Sequence, residues 1–440
     1  MSGRIFSKLL ICFAVLLPSV KAFSEDGGAY GSFSPYSIFG LGNQEMPGTT
    51  YNRGMAGVGI ASRNHRFINI LNPAAVTARD TLSFMLDFSV AGNFKLFKEK
   101  AASGDKKSAN NTFNIGGFTF SFPLWKDAAM MVGITPYTSM GYDYVSYETN
   151  YRTIATMGNV MSEFKGIGSI YQVFAGVGQS FFDRLSIGAQ GIFYFGNIYK
   201  SGNISYGDES ITSQGIIGDA ALTGFTGKFG MQYEQPVGNK CKIGVGATYR
   251  LSSNMSGYLE STTSSTLSTY EVDTLANTPG RLKFADEIGV GISFNYDDKF
   301  RVEFDYTRSD WTRTNLTTDP FFSVLDSEMP FKATVSRAFR LGAEYVPNRN
   351  DIRYYFNKVA YRAGAYHVKD YFTVGGYGIT YTGITLGATL PVFRWYNGVS
   401  LSLDFGKRGC PEKSLVNEYY FNFSVALNLF DIWFQKPKYE

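Results

Sequence analysis

The chain has 440 residues, 41 Lys+Arg against 37 Asp+Glu, 3 Cys, and 38 Phe with 30 Tyr. The formal charge is +4. It drops to +1 if the basic leader, with Arg4, Lys8 and Lys21, is removed, so a basic surface for nucleic acid has no support. The aromatic excess and the shortage of cysteine argue against a disulfide scaffold and suit a barrel girdled by amphipathic rings.

Residues 1–22 read as a signal peptide: a basic start, an apolar run from Leu9 to Val20, and a small residue, Ala22, before Phe23. No later segment offers eighteen consecutive apolar residues, so no transmembrane helix is predicted. Residues 23–80 are rich in Gly, Ser and Asn, include Pro35, Pro47 and Pro73, and show no sustained period. They read as a compact irregular segment.

From Thr81 a period-two alternation begins. Leu82, Phe84, Leu86, Phe88 and Val90 share one face, and Ser83, Asp87 and Ser89 the other. The pattern recurs about fourteen times, with strands expected near Thr112–Phe122, Ala128–Tyr144, Ser169–Phe181, Leu185–Tyr199 and Leu222–Gln235. It ends on the cleanest copy, Tyr420–Phe430. Tight links such as 125–127 and Asp297-Asp298 alternate with long ones such as Lys98–Asn111, Tyr147–Gly168 and Ser253–Arg281.

With no helical layer to cover the apolar faces, lipid is the neighbour they require. The prediction is all-β: a fourteen-stranded antiparallel transmembrane β-barrel over residues 81–430, with a hatch (plug) over 23–80 and a tail over 431–440. The short links are assigned to the periplasm, which puts both ends of this outer-membrane protein there. Fourteen strands at about 4.8 Å spacing and about 40° tilt give a cylinder roughly 28 Å across, too wide for side chains alone to fill.

Three motifs of the leading segment carry a family resemblance: Gly40-Leu41-Gly42, Asn52-Arg53-Gly54-Met55-Ala56-Gly57-Val58-Gly59, and Leu71-Asn72-Pro73-Ala74-Ala75 just before the first strand. The segment resembles the hatch of the long-chain fatty acid and hydrophobic-compound transporter family (FadL/TodX type), with Asn72, Pro73 and Ala74 at the hatch-to-barrel junction. The resemblance implies a fourteen-stranded barrel, diffusion of hydrophobic molecules, a hatch that rearranges, and lateral exit through a break in the third strand.

In this chain the third strand holds Gly133 and Pro136. A proline donates nothing to a ladder, so either a side opening or a bulge near the rim is expected. A fatty-acid carrier also needs a cation for the carboxylate. Period two puts Lys228, Arg340 and Arg362 on the inner faces, since a charge facing lipid at mid-membrane costs about 2–4 kcal/mol. An ion-pair ladder with Arg301, Glu303, Asp305 and Glu344 explains the two arginines at least as well. Phe23, Phe33, Tyr36 and Phe39 line or block the cavity, or simply pack the plug.

The two histidines, His65 and His367, have no metal-ligand spacing or triad context, so neither an enzyme nor a metal or other cofactor is expected. Three readings remain. The first is passive uptake of hydrophobic or amphipathic, fatty-acid-like molecules, with outer-membrane lipid and a hydrophobic small molecule as partners. The second is an open porin. The third is a non-transporting scaffold or accessory barrel of an outer-membrane secretion or assembly machine, with outer-membrane protein partners.

Overall fold

A computed structural model of the chain describes residues 31–79, 83–101, 104–148, 150–182, 184–208, 211, 213–265, 273–318, 330–392, 397–410 and 415–432. The expected signal peptide, Phe23, most of the expected tail and part of the long link Ser253–Arg281 lie outside these residues.

The strands are β1 (Ser83–Ala101), β2 (Gly104–Trp125), β3 (Ala128–Tyr147), β4 (Met161–Phe181), β5 (Leu185–Ser205) and β6 (Gln214–Val237). Then come β7, broken into Cys241–Arg250 and Ser253–Ser265, and β8, broken into Asp273–Phe284 and Glu287–Tyr296. The rest are β9 (Phe300–Asp310), β10 (Phe331–Ala333 and Val335–Tyr345), β11 (Ala360–Val374), β12 (Tyr377–Pro391), β13 (Gly398–Gly409) and β14 (Asn417–Ile432). Each pairs antiparallel with its sequence neighbours, and β14 closes on β1 from Asn417↔Lys98 to Ile432↔Ser83. The cylinder is therefore closed with fourteen strands, as the alternation predicts.

The binary pattern sorts the faces. Phe88, Leu427 and Leu429 point outward and are exposed, whereas Asp87, Ser89, Ser424 and Asn428 are buried on the inside. An apolar exterior over a polar interior is stable only against hydrocarbon. Among the described residues, no helix is long and apolar enough to cross a membrane, so the strands do the crossing.

The tight links behave as read. Asp297 and Asp298 both take positive φ (54° and 51°), the conformation a two-residue hairpin requires and one that aspartate tolerates. The long links do not. Lys98–Asn111, Tyr147–Gly168 and Ser253–Arg281 are mostly paired strand, because β1–β2, β3–β4 and β7–β8 continue in register well past the expected ends. Above the lipid these hairpins no longer alternate apolar with polar, so period two is lost from the sequence while the backbone ladder persists. A short helix, Tyr151–Met157, tops the β3–β4 hairpin.

Among the described residues, the ladder between β2 and β3 has an open seam. β2 pairs with β1 up to Ala101↔Gly104 but with β3 only from Trp125↔Ala128 to Phe118↔Ile134. Beyond Ile134, β3 stays paired with β4 through a bulge between Pro136 and Thr138, and its other edge receives the two-residue strand Asn43–Gln44. A proline and the neighbouring bulge turn the strand away from β2.

Segment 31–79 lies against the inner wall. Asn72 caps a 3₁₀ turn (Pro73–Thr77) by accepting from the Ala74 N–H at 3.0 Å, and its amide donates to the Ile60 carbonyl at 2.8 Å and the Met231 carbonyl of β6 at 3.1 Å. Two wall glycines make room: a Cβ on Gly188 would fall 2.4 Å from the Pro73 carbonyl carbon, and one on Gly230 2.0 Å from Asn72 Oδ1. Gly188→Val is accordingly expected to cost about 1–3 kcal/mol by overpacking. It should lower the thermal midpoint of the purified barrel, and an unchanged midpoint would show that the Asn72-Pro73 junction does not press on this wall.

Candidate functional site

The inner wall carries charge, and much of it is spent on the leading segment. Asp305 of β9 accepts the Gly59 N–H at 2.7 Å and the Ile60 N–H at 3.0 Å. Gln232 donates to the carbonyls of Ile60 (2.8 Å) and Ser62 (3.2 Å), and Thr385 accepts the Ala56 N–H at 2.8 Å. At the other end, Ser34 donates to Glu418 at 2.5 Å, and Tyr371 donates to the Gly42 carbonyl at 2.8 Å. Lys200 donates to the Ile38 carbonyl at 3.2 Å. The segment is thus bound to strands all around the cylinder, through backbone groups that would otherwise be buried and unpaired. Burial pushes the Arg53 and Arg63 guanidiniums of this segment below their ordinary pKa.

The arginines predicted to face inward do so in different roles. Arg362 is buried, 2.9 Å from Glu344, with its guanidinium 4.2 Å over the ring of Tyr51 and 5.0 Å over Phe67. It joins wall to plug and lines neither of the two cavities beside the plug. Arg301 stands 3.7 Å from Glu303 and donates to Ser62 at 3.1 Å, so the ion-pair ladder is present. Arg340 donates to Thr307 at 3.1 Å and lines both cavities; Lys228 lines one of them. Tyr36 packs under Arg408, and Phe39 stacks on Phe331.

The first cavity, between Gln44–Pro47 and strands β10–β14 and β1, is edged by Lys95, Arg408, Asp370, Asp404 and Glu418. The second lies beneath the seam, edged by Pro136, Arg53, Lys228, Arg250, Glu287 and Arg340. Each measures about 130 Å³, against roughly 300–1,000 Å³ for a typical small-molecule pocket. Both cavities are edged by several charged side chains, Arg340 in each and Lys228 in the second. Sequence reading finds which residues face inward but not what they meet, because the meeting partners lie in an aperiodic segment. Arg408 and Asp370 escaped notice for that reason.

Gly133 is held at the last paired turn of the seam, where a Cβ would lie 2.8 Å from the Phe118 carbonyl oxygen. Among the described residues, no group of three or more His, Cys, Asp or Glu is placed to hold a metal. Cys241 and Cys410 are free thiols.

A closed fourteen-stranded cylinder with an apolar exterior and a segment fastened inside is an outer-membrane barrel of the hydrophobic-compound channel fold. Solved structures share it: a Pseudomonas aeruginosa FadL homologue (TM-score 0.56, 11% identity, 88% of this chain and 99% of that one) and the P. putida toluene transporter TodX (0.54, 12%, 89% and 100%). The Ralstonia pickettii toluene transporter TbuX is similar as well (0.52, 14%, 87% and 98%). These are transporters, not enzymes, and at such identities the likeness is one of fold. No curated protein matches. The chain belongs to the BamG family, whose model matches residues 6–440. The resemblance read from the leading segment thus holds at the level of fold, under a different family name.

Asp305→Ala leaves two buried backbone N–H groups without an acceptor, at about 1–3 kcal/mol each. The variant is expected to fold with a loosened plug, seen as faster limited proteolysis within 50–70. Unchanged proteolysis would mean that the other bonds hold this part of the segment without Asp305.

Proposed function

We propose that this protein is a non-transporting scaffold or accessory barrel of an outer-membrane secretion or assembly machine, with segment 31–79 as a fixed plug. The observation that supports it is the fastening just described: polar bonds from wall strands on opposite sides of the cylinder hold the segment, and the two cavities beside it are small and edged by charge. Each of these cavities is smaller than an ordinary small-molecule pocket and carries charged side chains, a poor match for an apolar cargo. The tall hairpins β1–β2, β3–β4 and β5–β6 offer walls for protein partners. Purification from native membranes in mild detergent is expected to yield partner proteins in stoichiometric amount, and the barrel alone is expected to give no steady current in planar bilayers. A barrel that emerges without partners and with lipid in its lumen would overturn this reading.

The seam favours a second reading, passive uptake of hydrophobic or amphipathic, fatty-acid-like molecules. Here segment 31–79 acts as a gate, Gly133 and Pro136 border a lateral exit, and Lys228 and Arg340 in the cavity beneath meet an anionic head. The short links and both chain ends face the periplasm in either reading. Passage requires Asn43–Gln44 to leave the β3 edge, and Gln44 sits opposite Thr138. A disulfide between Gln44→Cys and Thr138→Cys should then abolish uptake of a labelled fatty acid, with recovery on reduction; uptake unaffected by the disulfide removes this reading.

A further inference from the structure

The link between β10 and β11 differs from the other short turns. It is held in one shape by its own polar groups. Asp351 accepts the N–H of Arg353 (2.8 Å) and of Tyr354 (2.9 Å) and the side-chain amide of Asn357 (2.6 Å), and the Asn348 N–H reaches the Asn357 carbonyl at 2.8 Å. Arg349 turns inward to Glu344 at 3.4 Å. The apolar residues turn the other way: Ile352 is 96% exposed, Phe356 73% and Tyr354 66%.

Two bonds fix where this apolar tip sits. Tyr361, exposed on the outer face of β11, donates to the Phe356 carbonyl at 3.2 Å, and Tyr355 donates to the Pro391 carbonyl at the end of β12 at 3.0 Å. The tip is therefore continuous with the lipid-facing surface through Tyr345 and Tyr361, which are cross-strand neighbours. At the same end of the barrel, the other turns expose Trp125 and Phe182. Such rings mark the plane between hydrocarbon and water. Two cations accompany the tip: Arg353 on the exposed arc, and Lys358, whose ammonium lies 5.8 Å from the Tyr355 ring centre. The one acid of the arc, Asp351, is occupied by the loop's own bonds.

We infer that the Pro347–Lys358 link is a membrane-surface foot: Ile352, Tyr354 and Phe356 enter the phospholipid interface of the nearer leaflet, and Arg353 and Lys358 contact lipid phosphates. Apolar side chains on a fixed loop with flanking cations bind such an interface by buried area plus attraction to anionic lipid. The inference does not depend on whether the barrel transports or docks partners.

The test uses the full mature chain with Cys241→Ser and Cys410→Ala. An environment-sensitive fluorophore is attached at Ile352→Cys or at Phe356→Cys, and at Ala155→Cys in the opposite-end helix as a water-exposed control. The protein is reconstituted in phosphatidylcholine vesicles with and without phosphatidylglycerol. Ile352 packs on little, so that variant keeps the fold even if Phe356→Cys does not. Quenching by lipid carrying a nitroxide near its headgroup is expected at both foot positions and absent at the control, with iodide quenching several-fold weaker than at the control. Nitroxide-labelled phosphatidylglycerol should quench more than its phosphatidylcholine counterpart, a preference lost on Arg353→Gln with Lys358→Gln. Iodide quenching equal to the control, or protection that appears only in native membranes and not in pure lipid, would overturn the inference; the latter would assign the tip to a protein partner. Equal quenching by the two labelled lipids would overturn the cationic half.

Discussion

Everything in this molecule follows from one constraint: hydrocarbon supplies no hydrogen bonds, so a sheet placed in it must satisfy every backbone group itself. A sheet does so only by closing, and the pairing of β14 with β1 along sixteen residues is that closure. Closure at fourteen strands then creates the next demand. The interior is wider than side chains can fill, and its inward positions (Asp305, Glu303, Arg301, Arg362) are charged. Buried charges need partners; some pair with each other across the wall, and the leading segment brings others as backbone N–H and carbonyl groups and aromatic faces.

The segment's irregularity is therefore part of its fit. A regular helix spends its backbone groups on itself, whereas a chain of turns leaves N–H groups such as those of Gly59 and Ile60 free for Asp305. Its glycines permit positive φ at Gly42 and Gly57, and wall glycines such as Gly188 and Gly230 permit close approach. Wall and plug thus depend on each other. Wall pairs such as Arg362–Glu344 stand without the plug, but Asp305 loses two backbone donors and Arg301 its Ser62 acceptor when the plug is absent.

How much of this was legible follows from where periodicity survives. Within the bilayer each strand must alternate, so Phe88 against Ser89 and Leu427 against Asn428 could be assigned by inspection. The strand number came from the same signal. In the extended hairpins water lies on both faces, the alternation lapses, and strands such as 104–111 and 161–168 read as loop. The site was legible only by facing. That Arg362 and Arg340 point inward follows from period two. That one is clasped by Tyr51, Phe67 and Glu344 while the other borders two cavities depends on a segment with no period to read. Pro136 could be flagged because proline forbids a specific bond, yet the extent of the seam depends on Asn43–Gln44 taking the vacated edge.

That substitution explains why the seam can exist at all. An unpaired strand edge beside lipid is costly and invites foreign pairing. Here the β3 side of the gap is served from within: Gln44 pairs opposite Thr138, the Glu45 N–H donates to the Tyr137 carbonyl at 3.1 Å, and the Ser34 N–H to the Gly141 carbonyl at 2.7 Å. On the β2 side, the Asn114 side chain reaches across to the Gly31 carbonyl. The leading segment therefore fills the lumen and also stands in for the missing β2–β3 ladder. Lumen filling and cover of the wall defect are therefore carried by one segment, and the bonds that hold it, from Asp305 on one side to Glu418 on the other, keep both in place together.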